Sequence, residues 1–79
     1  MILWTKQARK DMKRLSTIDR KRIIRAITRF HDTGFGNVAS VRTWKGVYCL
    51  KISGYRIFFK RSKENIEIIA VRHRKAAYG

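Results

Sequence analysis

The 79-residue chain contains no proline, one cysteine, two histidines and only five acidic residues. With no proline and no Gly- or Ser-rich stretch there is nowhere to place a linker. No internal repeat is visible either, so residues 1–79 read as one small domain. A lone cysteine, Cys49, cannot close an internal disulfide, which fits a reducing, cytoplasmic setting. Within an apolar strand it reads as a buried bystander. The longest apolar runs are far too short to cross a bilayer. No helix combines a broad apolar face with interfacial aromatics, so a membrane surface is not the expected partner. Met1-Ile-Leu-Trp4 is followed at once by Lys6, Arg9 and Lys10, unlike a secretory leader. Asp11, Asp19, Asp32, Glu64 and Glu67 are scattered, with no pairing suited to two-metal chemistry. No Cys/His spacing points to zinc and no Gly-rich phosphate loop follows a strand, so no metal or cofactor is expected.

What the chain has in excess is positive charge: 20 Lys and Arg against 5 Asp and Glu, a net +15. So much charge on a small body repels itself and attracts polyanions. Nucleic acid, an acidic protein, or both are the natural complements.

Ile2-Leu-Trp4 predicts a short strand, and Thr5 an N-cap for a helix through Leu15 whose apolar positions are Ala8, Met12 and Leu15. Ser16 or Thr17 restarts a second helix to about Asp32, with Asp19 in its first turn, Ile23, Ile27 and Phe30 as its buried stripe, and Gly34 as its stop. Gly34 to Ser40 reads as a loop. Strands are then expected over Val41–Trp44, Val47–Ile52, Tyr55–Lys60 and Ile66–Arg72, antiparallel across hairpin-length connections. The fold class is therefore α+β, an N-terminal strand and helical hairpin packed on one face of an antiparallel sheet, with the other face open.

Strand alternation puts Lys51 and Arg56 on a face away from Leu50, Ile52 and Ile57, opposite one another across the Ser53-Gly54 turn. With Arg74 and Tyr78 they make a cationic cluster with one phenol, suited to gripping a phosphodiester. Lys45, between Trp44 and Gly46, and His73 are candidate substrate-binding residues. Each has an ordinary reading too: Lys51 as a solvated lysine, Arg56 as a shield for the sheet, Tyr78 as packing on a sheet edge, Lys45 and His73 as surface residues. His31 reads as a capping or surface group. If the cluster cleaves RNA, the substrate's own 2′-OH attacks the adjacent phosphorus while the cations absorb the charge. Arginine stays protonated, so Arg56 and Arg74 serve as charge stabilisers, and Lys51 and His73 both stand as candidate bases.

Three segments, Trp4-Thr-Lys-Gln-Ala8-Arg-Lys-Asp11, Trp44 to Phe59 and Val71-Arg-His-Arg-Lys-Ala-Ala-Tyr78, together resemble the RelE/ParE superfamily of bacterial toxins, nearer its RelE-like branch. The resemblance spans nearly the whole chain. It implies a toxin that enters the ribosomal A site, against 16S rRNA, and cuts mRNA there without metal. In that family Lys51 and Arg56 would stabilise the transition state, with Lys51 also a candidate base. Arg74 would assist the leaving group and Tyr78 would stack on a base. The family further implies an acidic antitoxin covering the basic surface. Three departures stand out: Cys49 replaces a second strand lysine, Arg72 replaces the glycine of the closing motif, and the C-terminal helix of some members is not expected. The ParE-like alternative shares the fold but poisons DNA gyrase without cutting RNA. A non-enzymatic basic nucleic-acid-binding module is the third class.

Overall fold

The computed structural model describes residues 1–77. Strand β1 (Ile2–Trp4) leads into helices α1 (Lys6–Lys13) and α2 (Thr17–Thr33). Strands β2 (Asn37–Ser40), β3 (Tyr48–Ile52), β4 (Tyr55–Ser62) and β5 (Asn65–His73) follow, then one helical turn, α3 (Arg74–Ala77). The strands make one sheet in the order β1-β5-β4-β3-β2. All neighbours are antiparallel except β1, which runs parallel to β5. The expected α+β class, with a helical hairpin on a mostly antiparallel sheet, is the class observed. Among the described residues no helix is long and apolar enough to cross a membrane.

Local chemistry explains the helix ends. The Thr5 hydroxyl accepts from the Ala8 N–H at 3.1 Å, and the Ser16 hydroxyl accepts from Asp19 N–H at 3.1 Å, each satisfying a donor the helix cannot. Gly34 closes α2 in the left-handed conformation (φ 79°), its N–H donating to Phe30 O. The β3–β4 turn has positive φ at both Ser53 (22°) and Gly54 (85°), the geometry that matches strand twist in a two-residue hairpin.

Several expectations need correction. Helix α1 stops at Lys13, two residues short of Leu15, because Arg14 and Leu15 make the tight link to the Ser16 cap. Residues 37–40 form a strand rather than a loop. Val38 pairs with Leu50 and packs on the core, and Gly36 marks close packing: a Cβ there would lie 2.8 Å from Leu50 Cδ1 and 3.2 Å from Phe30 Cδ1. The strand expected at Val41–Trp44 is instead a run of turns, closed by Val41 N–H to Val47 O and Val47 N–H to Trp44 O. Beyond β5 the chain turns into α3, where no helix was expected.

Helices α1 and α2 cover one face of the sheet. The core there joins Ala8, Met12, Ile23, Ile27 and Phe30 to Leu50, Ile57, Phe59, Ile68 and Val71. Phe59 is at its centre, edge-to-face with Phe30 at 5.4 Å between ring centres. The other face is not fully open. Val47, Cys49 and Ala70 are buried on it, outside the main core and beside the 41–47 turns.

The register breaks once. Phe58 pairs with Ala70 but Phe59 with Ile68, which leaves Ile69 as an extra residue in β5. Its carbonyl accepts from the Thr5 hydroxyl at 2.8 Å, so the residue that caps α1 also holds the bulge.

Replacing Phe59 by Ala should lower unfolding free energy by about 3–5 kcal/mol, since the ring is fully buried and its cavity cannot collapse. Urea denaturation followed by far-UV circular dichroism measures this directly.

Candidate functional site

Lys51 of β3 pairs with Arg56 of β4, and Arg56 pairs with Arg72 of β5. Alternation places all three on the sheet face away from the helices, as a row across neighbouring strands. Directly opposed like charges destabilise a sheet. The fold nevertheless brings three together, and one of them, Arg72, pairs with a buried carboxylate.

That carboxylate is Asp11 of α1, 4% exposed. Oδ2 accepts the Val71 N–H at 2.9 Å, while Oδ1 accepts from Gln7 Nε2 at 2.9 Å and pairs with the Arg72 guanidinium. Burial alone would push the Asp11 pKa up. The hydrogen bonds from Val71, Gln7 and Arg72, with the Arg72 charge, outweigh it and hold the carboxyl below its ordinary value. Arg56 is anchored as well, its Nη1 donating to Tyr55 O at 3.0 Å. Lys51 is exposed.

Two adjoining hollows, which share Val41, Thr43 and Phe58, border the two ends of the row. One is lined by Arg42 and Thr43 of the turns together with Cys49 and Lys51. The other is lined by Thr5, Gln7, Trp44 and Arg72. Cys49, in the lining of the first, is buried. Its burial pushes the thiol pKa up against the pull of the Arg56 and Lys51 charges, so it is a poor nucleophile.

The remaining sequence candidates fall in different places. Arg74 begins α3 at the same end of the sheet, its N–H donating to Gly54 O at 2.7 Å, with its side chain exposed. His73 pairs with Tyr55 on the helix-bearing face, its ring edge-on to Tyr55 at 5.6 Å, and so stands outside the row. The Tyr55 hydroxyl donates to Asp19 at 2.9 Å, which confirms the side on which that pair lies. Lys45 is exposed in the turns, and no contact among the described residues joins it to the row. Tyr78 lies outside the described residues. His31 is in the last turn of α2, 2.9 Å from Asp32. Among the described residues no three of His, Cys, Asp and Glu are grouped so as to hold a metal ion.

Sequence reasoning treated Arg72 as a mere departure and passed over Asp11. One signal was available: Asp11 falls on the apolar stripe of α1, beside Ala8 and Met12, where an unpartnered carboxylate would be costly.

A family model described as the ParE toxin of the type II toxin–antitoxin system parDE matches residues 2–78. The chain belongs to this family. As a type II toxin it also shares its fold with solved relatives. A chain of the RelB–RelE antitoxin–toxin complex from Methanococcus jannaschii is 24% identical at a TM-score of 0.78, with 96% of this chain and 94% of that one covered. YafQ from Escherichia coli is 15% identical at 0.79, covering 100% and 98%. A chain of the Staphylococcus aureus YoeB–YefM complex is 18% identical at 0.77, covering 92% and 94%. No curated protein sequence matched the toxin. The expected RelE/ParE membership and RelE-like fold are therefore established.

Asp11→Asn should cost the toxin about 1–3 kcal/mol at pH 7, because the Arg72 charge loses its partner. The folded-state pKa of Asp11 lies below the unfolded value. Its contribution is thus complete above the unfolded pKa and is lost as pH falls through the lowered folded value. Chemical denaturation from pH 7 to pH 2 should show the wild-type and Asn variant stabilities converging at the acid end.

Proposed function

We propose that this toxin is an endoribonuclease, an mRNA interferase that cuts mRNA in the ribosomal A site without metal. The observation that carries this reading is the in-register row Lys51–Arg56–Arg72. Strands lie about 4.8 Å apart, so the row spans about 10 Å. Three cations over that width face a single phosphodiester. An anion bound there relieves their mutual repulsion, and the more negative pentavalent transition state relieves it further.

In this mechanism the 2′-oxygen forms a bond to phosphorus as the bond from phosphorus to the 5′-oxygen breaks. The products are a 2′,3′-cyclic phosphate and a 5′-hydroxyl. The 2′-OH proton goes to a base, and the leaving 5′-oxygen takes its proton from solvent water. Within the row only Lys51 can exchange a proton, since arginines stay charged. The placement of His73 against Tyr55 on the other face favours Lys51 as base. Arg56 and Arg72 stabilise the phosphorane. Arg74, at the same sheet end, is assigned the leaving group, and Tyr78 the stacking of a substrate base. Lys45 assists in binding the strand.

The partner that restrains the toxin is an acidic antitoxin. Relatives were crystallised with RelB and with YefM, and a net charge of +15 favours such a complement. Its place of action is the translating ribosome in the cytoplasm. Gyrase inhibition is the second reading, favoured by the ParE name of the matching family model.

Programmed ribosomes carrying 5′-labelled mRNA, run beside gyrase with supercoiled DNA, separate the two. Discrete A-site cuts are expected, with kcat falling roughly 10²- to 10³-fold in Arg56→Ala and comparably in Arg74→Ala. Intact mRNA together with stalled gyrase–DNA complexes would move the toxin to the gyrase reading.

A further inference from the structure

We propose that a second basic groove, along α2, binds the single-stranded RNA that continues beyond the cation row. This rests on the reading of the toxin as RNA-directed, and it adds a site that the row does not contain.

Arg22, Arg25 and Arg29 recur at helical spacing, so they share one face and span about 10 Å of helix axis. With Phe35, Asn37 and Lys51 they line a hollow of about 570 Å³ between α2 and the adjoining ends of β2 and β3. All three arginines are exposed, and among the described residues none of them meets a carboxylate. The two acidic residues of α2 are engaged elsewhere, Asp19 by Tyr55 and Asp32 by His31.

Two further observations give the groove its ligand. Phe35 is 66% exposed, and the Arg29 guanidinium lies 5.6 Å from its ring centre. An exposed aromatic ring held beside a line of arginines is a base-stacking platform on a phosphate track, the arrangement that grips single strands without reading sequence. An acidic peptide would need the arginines but not the ring. Lys51, moreover, lines both this groove and the hollow on the opposite face. A strand whose phosphate is held at Lys51 can therefore continue around the start of β2 onto α2.

The test uses the full-length toxin and fluorescent 2′-O-methyl RNA of mixed sequence, which cannot undergo 2′-OH attack, so binding is read whether or not the toxin proves to be a nuclease. A trinucleotide covers the row alone and a dodecamer reaches the groove. The triple variant Arg22→Ala/Arg25→Ala/Arg29→Ala should bind the trinucleotide like wild type. It should bind the dodecamer at least tenfold more weakly, with the slope of log K against log [salt] reduced by about 2. Phe35→Ala should weaken the dodecamer about tenfold with no change in slope. A charge-matched control, Lys6→Ala/Lys10→Ala/Lys63→Ala, removes three exposed cations that do not line the groove and should lose little. Equal losses on both oligonucleotides, or equal losses in the control, would reduce the groove to diffuse surface charge and overturn the proposal. Unchanged RNA binding with lost affinity for polyglutamate would overturn it in favour of an acidic protein.

Discussion

The bulge at Ile69 decides which side of the sheet the end of β5 serves. Strict alternation from Ile66 and Ile68 would carry Ala70 and Arg72 onto the helix-bearing face and turn Val71 outward. The extra residue reverses this. Val71 enters the core beside Ile57, and Arg72 joins Arg56 and Lys51. A one-residue slip moves every later side chain to the opposite face, so the three-cation row exists only while this irregularity is held. Two side chains of the preceding strand–helix unit hold it: Thr5 bonds the Ile69 carbonyl and Asp11 bonds the Val71 N–H. Helix α1 thereby replaces the missing continuation of β1 along the β5 edge, satisfying backbone groups that a three-residue strand cannot reach.

Asp11 serves two purposes with one carboxylate. It supplies an acceptor for the edge of β5, and it neutralises the row at the Arg72 end while leaving the Lys51 end exposed. In a chain with five acidic residues against twenty cations, using one of them in a fully bonded interior position is a strong constraint. It fixes the geometry of Arg72 at the cost of some of its charge. Preorganised charge of this kind requires little rearrangement when an anion arrives.

Most of the framework could be read from residue pattern alone, because short-range chemistry determines it. The Thr5 and Ser16 caps, the Gly34 stop, the Ser53-Gly54 turn and the Lys51–Arg56 pairing each depend on a few neighbouring residues. What escaped was set by partners distant in sequence. Gly36, Asn37 and Ser40 look like loop residues, yet Gly36 is small because Leu50 and Phe30 crowd it, and Val38 pairs with Leu50. The bulge was hidden because Ile68-Ile69-Ala70-Val71 is apolar throughout and conceals the change of phase. With the phase hidden, Arg72 could not be assigned a face, and Asp11, far earlier in the chain, could not be seen as its partner.

Lys51 is the residue at which the two faces of the molecule communicate. It stands next to the edge strand, paired with Arg56 on one side and Asn37 on the other, and it borders hollows on both faces. Strand β2 is only four residues long, so the sheet ends close to it and offers a short way round. A longer edge strand would have separated the row from the α2 arginines by a wall of backbone. The brevity of β2, which made it hard to recognise as a strand, thus goes with a place for Lys51 in the lining of hollows on both faces. On the proposed RNA-directed reading, a polyanion that meets the α2 arginines reaches the row around this edge, so that binding over a wide surface is focused on one phosphodiester.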